Sequence, residues 1–503
     1  MSVLCYPANL FSCIIVLVVS SGLVWFAGQV LKGAGRVLWF GVGFGMCAGE
    51  LLWEVEDEVT RLLCDLIRFD TTNPPGNETV AAEYLARVLG EEGFECEVFE
   101  SAPGRGSMVT RLRGSGTGPS LLLLSHLDVV AADAREWSVS PFGGVVKDGF
   151  VWGRGALDMK SLTALQVMVL KLLKRRGVRL KGDVVLAATA DEEKGGEAGA
   201  GWLVRNHAEK VCADYVINEF GGPAMPVGGK NLFMVQTAEK GVMWLRIRAK
   251  GSPGHGSKPG SADNAIMRTN RVVEKLGNYR DRIVLVPTVR KYLAALAKED
   301  VRVRGLLTRL IEEPASADAV LDELSRVDGF LAEDVRAMVR MTVAPTMVRG
   351  GVKENVIPSE CETVFDCRVL PGQSSAGALK LIKRLLGDVG LDKLEFEVVH
   401  AAEPSESGVD TPLFRQIVEV LGEFDSGCAV APFLLTGSTD SRFFRQCGSV
   451  CYGFQPFLAD MGYGEMWRTL HGVDERISVR NLVFGTSVLY SVVERFMGAR
   501  VKL

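Results

Sequence analysis

Three short apolar runs constrain this 503-residue chain more than any other feature. Leu121 to Leu124, Val184 to Thr189 and Tyr215 to Asn218 are of strand length and lack the alternation of a half-exposed strand, so each reads as buried on both faces. Helical apolar spacing runs over Ser161 to Leu173 between them. It also runs over Val55 to Phe69 and Val80 to Leu89 before them, with the breaker Thr71-Thr72-Asn73-Pro74-Pro75-Gly76 in between. Strands alternating with helices predict an α/β fold, a mostly parallel sheet covered by helices, whose ligands bind beyond the carboxyl ends of the strands. His126, Glu192, Glu193 and Glu219 all fall at that end.

Past Lys240 the pattern changes. Val242 to Ala249 and Glu360 to Val369 alternate like half-exposed strands, Asn264 to Leu276 and Ala376 to Leu386 read as helices, and Leu394 to Val399 closes the set. This order predicts an inserted α+β, ferredoxin-like lid over 239–403, interrupting a domain made of 54–238 and 404–503. The charged, helix-rich stretch at about 281–345 reads as a helical elaboration of that lid. A chain this long exceeds one comfortable core, which agrees with two domains.

The first 50 residues differ in kind. No charged residue precedes Lys32, and Leu10 to Val30 is an almost unbroken apolar run, long enough for a single transmembrane anchor. Lys32 and Arg36 follow it, which places the catalytic part on the cytoplasmic side. The alternative is a soluble cytoplasmic protein starting near Met46. Eleven cysteines without a C-x-x-C pair read as reduced thiols rather than a disulfide frame. A net charge of −4 with no basic stripe excludes nucleic acid as a partner.

The chemistry sits in Ser125-His126-Leu127-Asp128, Gly155-Ala156-Leu157-Asp158-Met159-Lys160, Asp191-Glu192-Glu193, Glu219 and Leu470-His471-Gly472-Val473-Asp474-Glu475. Two imidazoles and three carboxylates suit a pair of borderline-soft divalent ions; two Zn2+ fit best, with Co2+ or Mn2+ as substitutes. Asp128, two residues from His126 on an extended chain, shares its face and can accept its second ring N–H. Each residue alone has a bland reading, Asp158 as a turn aspartate and His471 as a loop histidine. Adjacent carboxylates at Glu192-Glu193, directly after a buried strand, repel each other unless cations compensate.

The motifs and their order resemble the co-catalytic di-zinc peptidase and deacylase family that includes aminoacylase, acetylornithine deacetylase, succinyl-diaminopimelate desuccinylase and carboxypeptidase G. Within it, Trp137, Pro141-Phe142, Thr439-Asp440-Ser441-Arg442-Phe443-Phe444 and His471-Gly472-Val473 look most like the branch of N-acyl-amino-acid hydrolases and Gly-X carboxypeptidases. The resemblance implies a zinc-peptidase-like sandwich in which Asp158 bridges both ions. His126 and Glu219 would complete one metal site, Glu193 and His471 the other. It also implies that Asp128 orients His126, Glu192 is the general base and His255 of the lid stabilises the oxyanion. Asn355 is a second lid candidate, and Arg442 is the anchor for a substrate carboxylate through bidentate pairing. His207 and His400 match nothing and read as structural.

The expected function is zinc-dependent hydrolysis of an N-acyl amino acid or small peptide with a free carboxylate, by a monomer or homodimer. A dipeptidase or biosynthetic deacylase of the same family is the alternative, and a membrane-tethered binding protein on a dead scaffold the reading from another class. The intact Glu192 and ligand set argue against the last.

Overall fold

The computed structural model describes Ser2–Asn9, Ser12–Val18 and residues 46–499. Ser2–Asn9 and Ser12–Val18 pair antiparallel within a separate unit, Met1–Asp57. The bilayer-crossing helix expected over Leu10 to Val30 is therefore not what its described part forms: Ser12–Val18 is a strand, and the rest of the run lies outside the described residues. Among the described residues no helix is long and apolar enough to cross a membrane.

In the second unit, Glu58–Leu503, the three apolar runs lie at the centre of the main sheet. Leu121–His126 pairs in parallel with Val184–Thr189 on one side and Tyr215–Asn218 on the other. Val450–Gly453 extends the parallel set beyond Tyr215–Asn218. An antiparallel hairpin that alternation did not reveal, Cys96–Glu100 with Gly106–Leu112, closes the other edge against Val184–Thr189. Lys160–Arg175 and Val479–Met497 cover the sheet, and most residues of both helices are buried. That explains the apolar runs: with helices on the faces, neither side of these strands meets water.

The insert begins where Lys230–Glu239 leaves the main sheet and Gly241–Lys250 enters a second one. Its strand order is Thr342–Gly350, Glu360–Val369, Gly241–Lys250, Leu394–Ala402, all antiparallel. Val272, Leu276, Ala378 and Ile382, from helices Ala265–Gly277 and Ser375–Leu385, pack into its core with Leu245, Ile247 and Phe365. This is the ferredoxin-like order, with Thr342–Gly350 as a fourth strand the sequence pattern left unassigned.

The helical stretch departs from expectation. Helices Pro287–Glu299, Arg304–Glu312, Ala317–Val327 and Gly329–Met338 do not elaborate the lid core. Their apolar faces form one cluster with Leu232, Met234 and Ala238 of Lys230–Glu239 and with Ala431, Phe433 and Leu434 of Ala429–Leu435. They cover the end of the main sheet, because those two strands pair in parallel there and would otherwise present an apolar face to water.

Candidate active site

His126 ends its strand opposite Thr189, so parallel pairing alone sets the imidazole beside the Asp191-Glu192-Glu193 turn. Its Nε2 lies 3.1 Å from Asp158 Oδ1, 3.4 Å from Glu219 Oε2 and 4.0 Å from Glu192 Oε2. His471 Nε2 lies 3.1 Å from the other oxygen of Asp158 and 3.3 Å from Glu193 Oε1. Asp158 thus faces both imidazoles, one through each oxygen. Six side chains expected from five separate stretches of sequence meet at one point.

Asp128 does more than expected and in a different way. His126 Nδ1 is nearer the main-chain oxygen of Asp128, 2.9 Å, than its carboxylate, 3.4 Å. The carboxylate instead accepts the backbone N–H groups of Glu192 at 3.0 Å and Glu193 at 3.1 Å, and the Asn73 amide at 2.8 Å. Asp128 therefore fixes both the histidine and the glutamate turn. Asp191, in the left-handed region at φ 74°, is held from behind by Arg105 and Asn73, and Glu78 pairs with Arg105 at 3.1 Å.

A second set of supports went unread. Glu475, wholly buried, accepts the N–H groups of Leu157 at 2.6 Å, Asp158 at 3.0 Å and Gly155 at 3.1 Å. It also pairs with Arg154 at 2.7 Å, and Arg154 donates to the carbonyl of Gly472 at 2.8 Å. One ion pair ties the Asp158 loop to the His471 loop. The only sequence signal was that Glu475 ends the quoted His471 motif and Arg154 directly precedes the Asp158 motif.

Electrostatically the cluster is short of positive charge. Burial, and then neighbouring carboxylates, raise Glu192 and Glu193, and burial raises Glu219 to about 8. Burial works against a charged His126, but Glu219, Asp128 and Asp158 outweigh it and raise its pKa; hydrogen bonds to Asp158 and Glu193 bring His471 up to about 10. Glu219 Oε1 is buried without a hydrogen-bond partner, and Glu193 Oε1 meets only the His471 ring at 3.3 Å. Buried carboxylate oxygens with spare lone pairs, crowded round two imidazoles, are what divalent cations satisfy. Donor atoms of His126, Asp158 and Glu193, and of His126, Glu192 and Glu219, lie within 4.8 Å of one another. The residues present fit a metal pair.

Two hollows meet at Asp158. One is apolar, with Phe220, Met234, Phe433, Phe457, Trp467 and Leu470 around Asp158 and Glu219. The other, polar, is lined by Glu192, Glu193, Arg442 and His471 together with Trp244, Arg368 and His400 of the lid sheet. His400, expected to be structural, is thus a lining residue; its strand breaks register between Val398 and His400, so alternation could not mark it. His207 does behave structurally, its ring tilted against that of Phe99 with centroids 4.4 Å apart.

Phe443 and Phe444 bury in the main core and carry Arg442 to the polar hollow. Its guanidinium already donates to Ser438 Oγ and the Thr439 carbonyl, both at 3.1 Å, and to the Gly195 carbonyl. His255 and Asn355 are not brought to the cluster. Both are exposed, on the small antiparallel pairing of Gly254–His255 with Val356–Ile357 and the turn beside it. His255 bonds Ser257 Oγ at 2.8 Å, and neither residue lines the hollows at Asp158. A loop between glycines says nothing of where a tertiary fold will carry it.

A parallel sheet with a buried imidazole, a second more open one and buried carboxylates at its carboxyl edge, beside a ferredoxin-like insert, defines a metal-dependent hydrolase. The chain belongs to Peptidase family M20/M25/M40, whose model matches residues 122–495. It is 27% identical over 395 residues to the N-fatty-acyl-amino acid synthase/hydrolase PM20D1 of Homo sapiens, covering 75% of each chain. It is 26% identical over 445 residues to aminoacylase-1 of Sus scrofa, covering 84% of this chain and 91% of that one. The fold is similar to the M20 family metallo-carboxypeptidase Sso-CP2 of Sulfolobus solfataricus, with TM-score 0.68, 17% identity and coverage of 88% and 99%. Human carnosine dipeptidase 1 follows, with TM-score 0.65, 16% identity and coverage of 90% and 99%.

Proposed function

We propose that this enzyme hydrolyses the amide bond of N-acyl amino acids whose acyl group is apolar and whose carboxylate is free. One observation carries the reading: the apolar and polar hollows both open on Asp158, so an amide centred at the cluster lays an acyl chain among Phe220, Phe433 and Phe457 and its carboxylate towards Arg442. The relatives named for N-fatty-acyl-amino acids and for aminoacylase support it.

In this reading Asp158, with His126 and Glu219 on one side and Glu193 and His471 on the other, would hold two divalent ions; zinc suits the donors best. Two such ions, once bound, would polarise the scissile carbonyl and lower the pKa of water. Glu192 is the general base. It stands 4.0 Å from His126, farther than Asp158 or Glu219, and keeps 10% of its side chain open towards the polar hollow, where it can take a proton from the attacking water and return it to the departing amine. Asp128 holds Glu192 and Glu193 by their amides, so base and ligand keep a fixed separation. Arg442 fixes the carboxylate end, and His400 and Arg368 close that side from the lid.

Metal-loaded enzyme assayed on matched acetyl and long-chain acyl amino acids, alongside dipeptides, tests this. Higher kcat/KM on the long-chain acyl substrates is expected; a preference for dipeptides would replace the reading with dipeptidase activity.

A further inference from the structure

Away from the metal cluster, just ahead of two neighbouring parallel strands, lie two cysteines, Cys212 and Cys447. The ladder pairs Val450 with Tyr215 and Cys451 with Val216. Below it the chains stay joined by the N–H of Val450 to the carbonyl of Asp214, 2.9 Å, and by Ser449 Oγ to the carbonyl of Ala213, 2.6 Å. Cys212 is the next residue out on one chain. Cys447, which ends helix Ser441–Gln446, lies just beyond Ser449 on the other. The Cys447 thiol is near enough to Cys212 to help raise its pKa. Each cysteine stands 3 residues before a paired strand position, Cys212 before Tyr215 and Cys447 before Val450.

We propose that Cys212 and Cys447 are a reversible dithiol–disulfide pair that staples the catalytic domain across its insertion. Neither residue touches the reaction, and both are free in this structure. The whole lid and the helical cover, from Gly241–Lys250 through Leu394–Ala402, lie between them in sequence. A crosslink at this place would therefore close a very long loop of the unfolded chain while asking little movement of the folded one, the arrangement in which a disulfide stabilises most. Other cysteines are less suited: Cys64, Cys361, Cys367 and Cys451 are buried, whereas Cys447 is exposed and open to a soluble oxidant.

The oxidant is a small-molecule disulfide such as oxidised glutathione. The Cys447 thiolate attacks one glutathione sulfur, the glutathione S–S bond breaks, and one glutathione thiolate leaves. Cys212, deprotonated, then attacks the Cys447 sulfur of the mixed disulfide and the second glutathione departs. Two protein thiols are oxidised, one glutathione disulfide is reduced to two thiols, and two protons pass from the cysteines to the products. Burial, then the neighbouring Cys447, pushes Cys212 up to about 12, which suits it to the second, intramolecular step rather than the first.

The test equilibrates full-length, metal-loaded enzyme in glutathione buffers of rising oxidised fraction. Expected is a species lighter by two hydrogens, with Cys212 and Cys447 in one crosslinked peptide pair, restored by dithiothreitol. Cys212→Ser should instead accumulate a lasting glutathione adduct at Cys447. Oxidation should raise the melting midpoint of the wild type and leave that of Cys447→Ser unmoved, while both variants keep the activity of the reduced enzyme. A lasting adduct at Cys447 in the wild type, a crosslink through Cys428 or Cys451, or no reaction at either cysteine would overturn the proposal.

Discussion

Arg154 and Glu475, 321 positions apart in sequence, form a buried ion pair at 2.7 Å that joins the two loops presenting Asp158 and His471. Groups that orient metal ligands typically change metal affinity or activity by about 10–100-fold when altered. Glu475→Gln keeps the shape but weakens acceptance of the Leu157, Asp158 and Gly155 amides and leaves Arg154 without its counter-charge. We expect metal affinity to fall within that range, read by competition with a chromogenic chelator. Unchanged affinity in a folded variant would remove the clamp from the account.

Glu192→Gln should bind metal as the wild type does and lose most turnover, because a neutral amide accepts no proton. The ratio of bound metal to protein and single-turnover rates are the measurements. Substantial activity in this variant would pass the role of base to another group.

Arg442→Ala should lower kcat/KM for a free-acid substrate and spare the matching amide. Truncating one side of a buried charge pair costs about 2–5 kcal/mol, or roughly thirty-fold to several-thousand-fold. The existing bonds of Arg442 to Ser438, Thr439 and Gly195 supply the competing outcome. Equal losses on acid and amide would mean that the guanidinium holds the loop beside Glu193 rather than the substrate.

Met234→Trp fills the apolar hollow from Lys230–Glu239, whose Met234 is buried at its wall. Each acyl methylene kept from burial costs about 0.8 kcal/mol. Two or three should lower kcat/KM for a long-chain acyl substrate roughly ten-fold or more, with acetyl substrates unaffected. Parallel losses on both chain lengths would place the acyl group elsewhere.

Lys240, at the passage from the main sheet into the lid, donates to the carbonyls of Ala337 at 3.0 Å and Arg340 at 2.9 Å. Burial draws its pKa from 10.5 down to about 7. Between those values the unfolded chain binds more protons than the folded one, so this group makes stability rise with pH across that window, by at most about 1.4 kcal/mol per unit. Below about 7 its penalty is fully present. Denaturation midpoints of Lys240→Met should show a flatter pH profile from 7 to 10.5 than the wild type; identical slopes would exclude the titration.

Much of the site was legible because its chemistry lies where strands end. Leu121–His126, Val184–Thr189 and Tyr215–Asn218 are covered on both faces, so burial wrote them as continuous apolar runs, and the residues at their carboxyl ends stood out. The lid strand Glu360–Val369 was equally legible, since one face buries Phe365 and Cys367 while the other stays partly open. Hairpin Cys96–Glu100 with Gly106–Leu112 was not, because neither strand alternates cleanly.

By itself, then, the sequence determined the parallel sheet, the inserted lid and six cluster residues, from His126 to His471. Only the tertiary structure decided that the helices of 287–338 cover the main sheet rather than the lid, that His400 enters the polar hollow, that His255 and Asn355 stay outside it, and that Arg154 meets Glu475. The reason is physical. Periodicity records whether a face is buried but not against what, and a charge pair between distant segments is set by distance through space, of which the order of residues carries no trace.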